Sequence, residues 1–259
     1  MTDTDSTDEV DGGPGHAPPR LERLKNLELT PRRLEMRRLA AAGRAVIEDL
    51  VSTDASLEEL TAAADELEQV AATLRSLPGG ATYDGFSEVA NAGAAFGEHN
   101  RASAARSDGD SDMEAYASFE HSPFIGLANP LSPPIVFDFD PERITGRVTF
   151  GAAYEGPPGC VHGGYVAAAF DELLGAAQSL SGTQGMTARL TVNYRTPTPL
   201  HAELRLEAVL ARHEGRKIFC EGWLWVGDRL CAEAEGLFIS MDPEKFQALL
   251  AARQRHRDA

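Results

Sequence analysis

Gly159-Cys160-Val161-His162-Gly163-Gly164 opens a run in which Val166, Phe170, Leu173, Leu174, Ala177 and Leu180 recur at helical spacing, with Asp171 nine residues after His162. A helix from Gly163 to about Leu180 is expected, packed through that stripe. The first N–H groups of such a helix have no intrahelical partner and lie at the positive end of its dipole. Gly163 and Gly164 carry no β-carbon to hold a ligand carbonyl away from them, and Pro157 and Pro158 stiffen the approach. Amides placed this way can hydrogen-bond charge developing on a carbonyl oxygen, and the downstream carboxylate is a candidate base. The pattern points to acyl-transfer chemistry. On the residues alone, a tight turn into a packed helix competes with that reading.

The flanking segments read as strands. One is expected from about Arg143 to Phe150, before the helix. After it, Leu190, Val192 and Tyr194 alternate with Thr191 and Asn193, and Leu204, Leu206, Ala208 and Leu210 alternate with Glu203, Arg205 and Glu207. Two more strands follow, Lys217 to Val226 and Arg229 to Met241, punctuated by His213-Glu214-Gly215-Arg216 and Gly227-Asp228 as hairpin turns. One long helix between an early strand and an antiparallel meander predicts an α+β unit whose sheet wraps that helix.

From Ser122 to Met241 the chain resembles the hotdog-fold acyl-CoA thioesterases of the PaaI-like kind. The resemblance rests on Val161-His162-Gly163-Gly164, Asp171, Gly185-Met186-Thr187, Val192-Asn193-Tyr194-Arg195-Thr196-Pro197 and Glu214-Gly215-Arg216-Lys217, in order and at compatible spacings. It implies hydrolysis of an acyl-CoA thioester to an acid and free coenzyme A, without metal or organic cofactor. The amides of Gly163 and Gly164, in the turn that begins with His162, would polarise the thioester carbonyl. Asp171 would act as general base or nucleophile, and Thr187 would hold the water or the acid. Many relatives carry an asparagine shortly before the histidine, where this chain has Cys160-Val161. On the substrate side, Asn193, Arg195, Arg216 and Lys217 fall in family-like motifs, the cations as candidates for coenzyme A phosphates. Phe124 or Ile125, in the apolar Ser122 to Pro130 segment, is a candidate for the acyl pocket, with packing of the sheet's end as the alternative.

A helical wheel places Asp171 beyond the Leu174 edge of the stripe, beside Ala167, Gly175 and Gln178, where small neighbours leave room for a ligand. Glu172 flanks the other edge with Ala168, Ala169 and Ser179, so the wheel does not choose between the two acids. Spacing adds a constraint, because nine helical residues span about 13 Å and a base must approach its water to about 3 Å. Asp171 is therefore expected to serve the turn of another subunit in a homodimer or a dimer of dimers, as in hotdog relatives.

The chain has 259 residues and a formal charge of -16, which argues against nucleic acid as a general partner. Cys160, Cys220 and Cys231 show no metal-like spacing and are expected as free thiols in a reducing, cytoplasmic setting. Neither a signal peptide nor a membrane span is expected, and residues 1–30 read as an acidic disordered start. Residues 31–77 read as a helical hairpin, its second helix opened by a Ser56/Glu59 capping box. Leu57, Leu60, Ala64, Leu67, Ala71 and Leu74 repeat along it at heptad-like spacing. Residues 78–120 read as a linker, 121–242 as the hotdog unit and 243–259 as a short terminal helix. Every motif tied to the reaction lies after Ser122, so the N-terminal helices are expected to be dispensable for chemistry. The principal alternative is a non-catalytic hotdog protein that binds acyl-CoA or a protein partner.

Overall fold

The computed structural model describes residues 31–78, 121–183 and 185–240. The elements are α1 (Pro31–Ser52), α2 (Leu57–Ser76), β1 (Val136–Phe139), β2 (Ile144–Thr149), a 3-10 turn (Ala152–Tyr154), α3 (Gly163–Ala177), a second 3-10 turn (Gln178–Ser181), β3 (Gly185–Tyr194), β4 (Glu203–Glu214), β5 (Lys217–Val226) and β6 (Arg229–Ser240). The six strands form one antiparallel sheet in the order β1-β2-β4-β5-β6-β3, wrapped around α3 as in the hotdog fold.

The expected stripe is what α3 buries. Val166, Phe170, Leu173, Leu174 and Ala177 are all buried, with Leu180 packed at the margin. They meet Ile144, Leu204, Leu206, Ile218, Leu224 and Phe238 from the concave face of the sheet. Fully burying one such side chain contributes about 1.5–3 kcal/mol, so this cluster is the main stabilising contact of the unit. Close approach of helix to sheet requires small residues opposite Leu174. A Cβ on Gly222 of β5 would lie 3.0 Å from one Leu174 methyl carbon, and one on Gly236 of β6 3.1 Å from the other.

Several expectations need correction. The α-helix stops at Ala177 and tightens into a 3-10 turn instead of running on to Leu180. Strand β1 pairs Val136 with Arg147 through Phe139 with Ile144, on a segment whose sequence carried no strand reading. Both N-terminal helices form, and the Ser56/Glu59 capping box is made reciprocally. The first of them packs on the rest of the unit. Ala40 of α1 is buried and α1 sits against the 3-10 turn, whereas every α2 side chain is exposed except Ala71, which is half-buried. The readings for residues 1–30, for most of 78–120 and for 243–259 lie outside the described residues.

Candidate active site

The site begins with an irregularity in β3. Antiparallel pairing with β6 runs Thr187 opposite Phe238 and Arg189 opposite Leu237, so Ala188 is an extra residue, a β-bulge. Side chains along a regular strand alternate faces, and Thr187 and Tyr194, seven apart, would point to opposite sides. The bulge removes that parity difference. Thr187 joins Leu190, Val192 and Tyr194 on the face toward α3, where Leu190 and Val192 pack on the core.

As a result β3 braces α3 at two heights. Near its middle, the Thr187 hydroxyl donates to Asp171 Oδ1 at 2.9 Å. At its start, the Tyr194 hydroxyl donates to the Gly163 carbonyl at 2.7 Å, and its ring lies within van der Waals reach of the Gly163 Cα hydrogens. Tyr194 was absent from the sequence-derived site, and the Val192-Asn193-Tyr194 motif that contains it was the only signal. Asp171 is exposed, and its second oxygen has no hydrogen bond among the described residues.

His162 is the N-cap of α3. Its Nδ1 accepts the Gly164 N–H at 3.0 Å, and its carbonyl accepts from Tyr165 at 2.9 Å. This corrects the expectation of two free amides: Gly164 N–H is taken by the cap, and Gly163 N–H is the one that meets no acceptor among the described residues. His162 itself is exposed.

The loop before the cap is cross-braced. His162 N–H donates to the Tyr154 carbonyl at 2.8 Å and Gly156 N–H to the Cys160 carbonyl at 2.9 Å, with a bridge between Glu155 and Val161. The tip at Gly159 has φ 72°, a left-handed conformation that suits glycine, and its N–H donates to Glu155 Oε1 at 2.6 Å. Tyr154 stacks edge-on against Phe150 and Tyr165, ring centroids 5.4 and 4.9 Å away. Burial pushes its phenol up to about 12.

Glu172, the next residue, has different neighbours from Asp171. Ser122 Oγ lies 3.4 Å from its Oε1, while Oε2 is buried with no partner among the described residues. Burial, with the neighbouring Asp171 charge second, pushes the Glu172 carboxyl up to about 7. The linkage has a definite sign. Between the ordinary carboxylate range and pH 7 the unfolded chain releases this proton and the folded chain keeps it, so stability falls as pH rises through that window. Glu172→Gln, neutral at every pH, is expected to flatten the fall and to raise stability at pH 8 by up to about 3 kcal/mol. Thermal melts of both proteins at pH 5 and pH 8 check this. A wild-type excess at pH 8 contradicts it.

Two of the three candidate phosphate-binding cations have other engagements. Arg195 Nε donates to Glu233 Oε1 at 3.1 Å, and its Nη2 pairs with the same oxygen. Arg216 Nη2 donates to the Ser240 carbonyl at 3.0 Å. Lys217 is exposed beside Arg216 on the β4–β5 turn, and Asn193 is exposed next to Tyr194. Phe124 is half-buried in the turn held by Ser122 Oγ, which accepts the Phe124 and Ile125 N–H groups. Among the described residues no group of His, Cys, Asp and Glu is placed to hold a metal ion, and no helix is long and apolar enough to cross a membrane. The three cysteines are free.

Comparison with known proteins bears on this geometry. Residues 158–234 match the family model of the thioesterase superfamily, a span that takes in the His162 cap and Asp171. The Bos taurus acyl-coenzyme A thioesterase THEM4 is 38% identical over 114 residues, 43% of this chain and 47% of that protein. The Mus musculus protein of the same name is 38% identical over 97 residues, 37% of this chain and 42% of its own. The chain thus spans about half the length of the curated relatives it matches. A crystal structure of a thioesterase superfamily protein superposes with a TM-score of 0.63 at 31% identity, over 79% of this chain and 94% of that one. With nearly all of that protein matched at this identity, the chain belongs to the thioesterase superfamily.

Proposed function

We propose that the protein hydrolyses acyl-CoA thioesters at sites shared between two copies of the chain. The observation that carries this reading is the pair of braces on α3: a hydroxyl-bound, exposed Asp171 on its flank and, at its capped start, a Gly163 N–H that meets no acceptor among the described residues. The thioester carbonyl would accept from Gly163 N–H, which gains strength as negative charge builds on that oxygen. Asp171 Oδ2 would take a proton from water while Thr187 holds Oδ1, and the water oxygen would bond to the carbonyl carbon. The tetrahedral intermediate then expels the coenzyme A sulfur by breaking the C–S bond, and the proton on Asp171 passes to the leaving thiolate. The acyl-CoA thioesterase names of the THEM4 relatives support the substrate class.

Distance supports the two-copy site. Asp171 and the turn of its own helix are about 13 Å apart along the axis, too far for one water to bridge. Strand β3 hydrogen-bonds β6 on one side, and its outer edge meets no strand among the described residues. An open edge invites a second copy, and β3 is the strand that carries both braces. Release of free thiol from acetyl-, hexanoyl- and palmitoyl-CoA, followed with a thiol reagent in the presence of a chelator, tests the function. Turnover of at least one of them is expected. Binding without turnover across the panel would favour the non-catalytic acyl-CoA-binding protein.

A further inference from the structure

Helix α1 lies outside the span that matches the family model, yet it reaches the loop that positions the candidate site. Arg44 Nη1 donates to the Leu127 and Asn129 carbonyls at 3.2 and 2.9 Å, which docks the helix on the turn before β1. One helical turn later, Glu48 does something more specific. Its Oε1 accepts the Ala152 N–H at 2.6 Å and its Oε2 the Ala153 N–H at 3.0 Å.

Those two amides start the 3-10 turn Ala152–Tyr154, whose own N-cap, Gly151, has no side chain to satisfy them. Glu48 therefore caps the turn from more than 100 residues away in sequence. A Cβ on Gly151 would stand 2.4 Å from both Glu48 oxygens, so a side chain there would have to push the carboxylate off the two amides. The two N–H groups, Ala153 first, hold the Glu48 carboxyl below the usual carboxylate range, with His201 adding to the effect. The cap is ionised at neutral pH.

What it holds is Tyr154, the last residue of that turn. The Tyr154 carbonyl accepts the His162 N–H and its ring packs against Tyr165 in the first turn of α3. His162 in turn caps Gly164, and Gly163 N–H meets no acceptor among the described residues. A continuous path of short contacts thus runs from Glu48 through Tyr154 to the amide that would meet substrate.

We infer that Glu48 is a positioning residue for the His162-Gly163-Gly164 turn, so that the N-terminal extension completes the site instead of merely decorating it. This rests on the proposed reaction only for its kinetic readout. It replaces the expectation that the N-terminal helices are dispensable for chemistry.

The test uses the full chain carrying Glu48→Ala, Glu48→Gln or Arg44→Ala, with Tm, kcat and KM for the same three acyl-CoA probes, and amide hydrogen exchange at His162 and Gly164. Glu48→Ala is expected to lower kcat about tenfold or more with KM changed less than about twofold, because misplacement of a reacting group by fractions of an ångström acts on rate. Exchange at His162 should accelerate in parallel. Glu48→Gln, which keeps one carbonyl oxygen for one N–H, should recover part of both losses. Arg44→Ala should lower Tm while leaving kcat per folded molecule and His162 exchange near wild type. If Arg44→Ala and Glu48→Ala lose kcat equally, the helix matters only by docking and the inference is overturned. Unchanged kcat and exchange in Glu48→Ala overturn it too. If Glu48→Ala does not fold, Glu48→Gln is read against the same criteria. Should the wild type hydrolyse none of the three thioesters, the proposed function fails by itself, and faster His162 and Gly164 exchange in Glu48→Ala but not in Arg44→Ala still decides the positioning role.

Discussion

Asp171→Asn is expected to lower kcat by about 10² to 10⁴, the usual cost of removing a general base, while Glu172→Gln leaves it within a few-fold. The amide keeps the size of the carboxylate and can still accept the Thr187 hydroxyl through its oxygen, so the fold should tolerate the change. What it loses is the ability to take a proton from water. Glu172 makes the sharper comparison, because its carboxyl, pushed up to about 7, is the one that titrates near neutrality, a property typical of catalytic acids and bases. Geometry weighs the other way. Glu172 is turned toward Ser122 of its own chain, with Oε2 buried, whereas Asp171 is exposed on the flank. Thr187→Val should fall between the two, since it deletes one hydrogen bond to Asp171 and preserves shape. Steady-state kinetics on variants with wild-type melting behaviour check the ranking, and a larger loss in Glu172→Gln than in Asp171→Asn would reverse the assignment.

The parts of this architecture that were legible in the sequence are those set by local periodicity. The α3 stripe at Val166, Phe170, Leu173 and Leu174 and the alternation in β4 each report which face is buried, and the structure buries those faces. The Lys217–Val226 strand is found with the bounds read for it, since turn residues mark both ends. Pairings between distant segments left no such trace. The bulge at Ala188 comes from the register of β3 against β6, and nothing in the composition of Met186-Thr187-Ala188-Arg189 announces it. Without it, the role of Tyr194 in bracing Gly163 could not be inferred from Thr187, because simple alternation places the two on opposite faces. The burial of Glu172 likewise depends on the Ser122 turn, 50 residues earlier, folding over one flank of α3. The wheel saw two equivalent acids because it contains only the helix. Glu48 is the extreme case: on α1 it reads as one more solvated charge, and only the tertiary fold shows the two amides it caps.

Mixed dimers of Gly164→Val and Asp171→Ala are expected to recover about a quarter of wild-type activity from two proteins that are each inactive alone. A Cβ at Gly164 would stand 3.0 Å from His162 Nδ1, so valine displaces the cap and spoils the turn, without touching the Asp171–Thr187 pair on the flank. Asp171→Ala removes the base and leaves the turn intact. If each site draws its turn from one copy and its carboxylate from the other, a mixed dimer has one site with both defects and one with neither. Random pairing makes about half of the dimers mixed, and half of their sites are whole, which gives the quarter. The measurement is thiol release after co-refolding at equal concentrations, with differential tags on the two chains to isolate and count the mixed species. Mixed dimers that form but remain at background would place turn and base in the same chain. A water chain or a movement of α3 would then have to bridge the roughly 13 Å between Asp171 and its own turn, a span that a single water cannot cover.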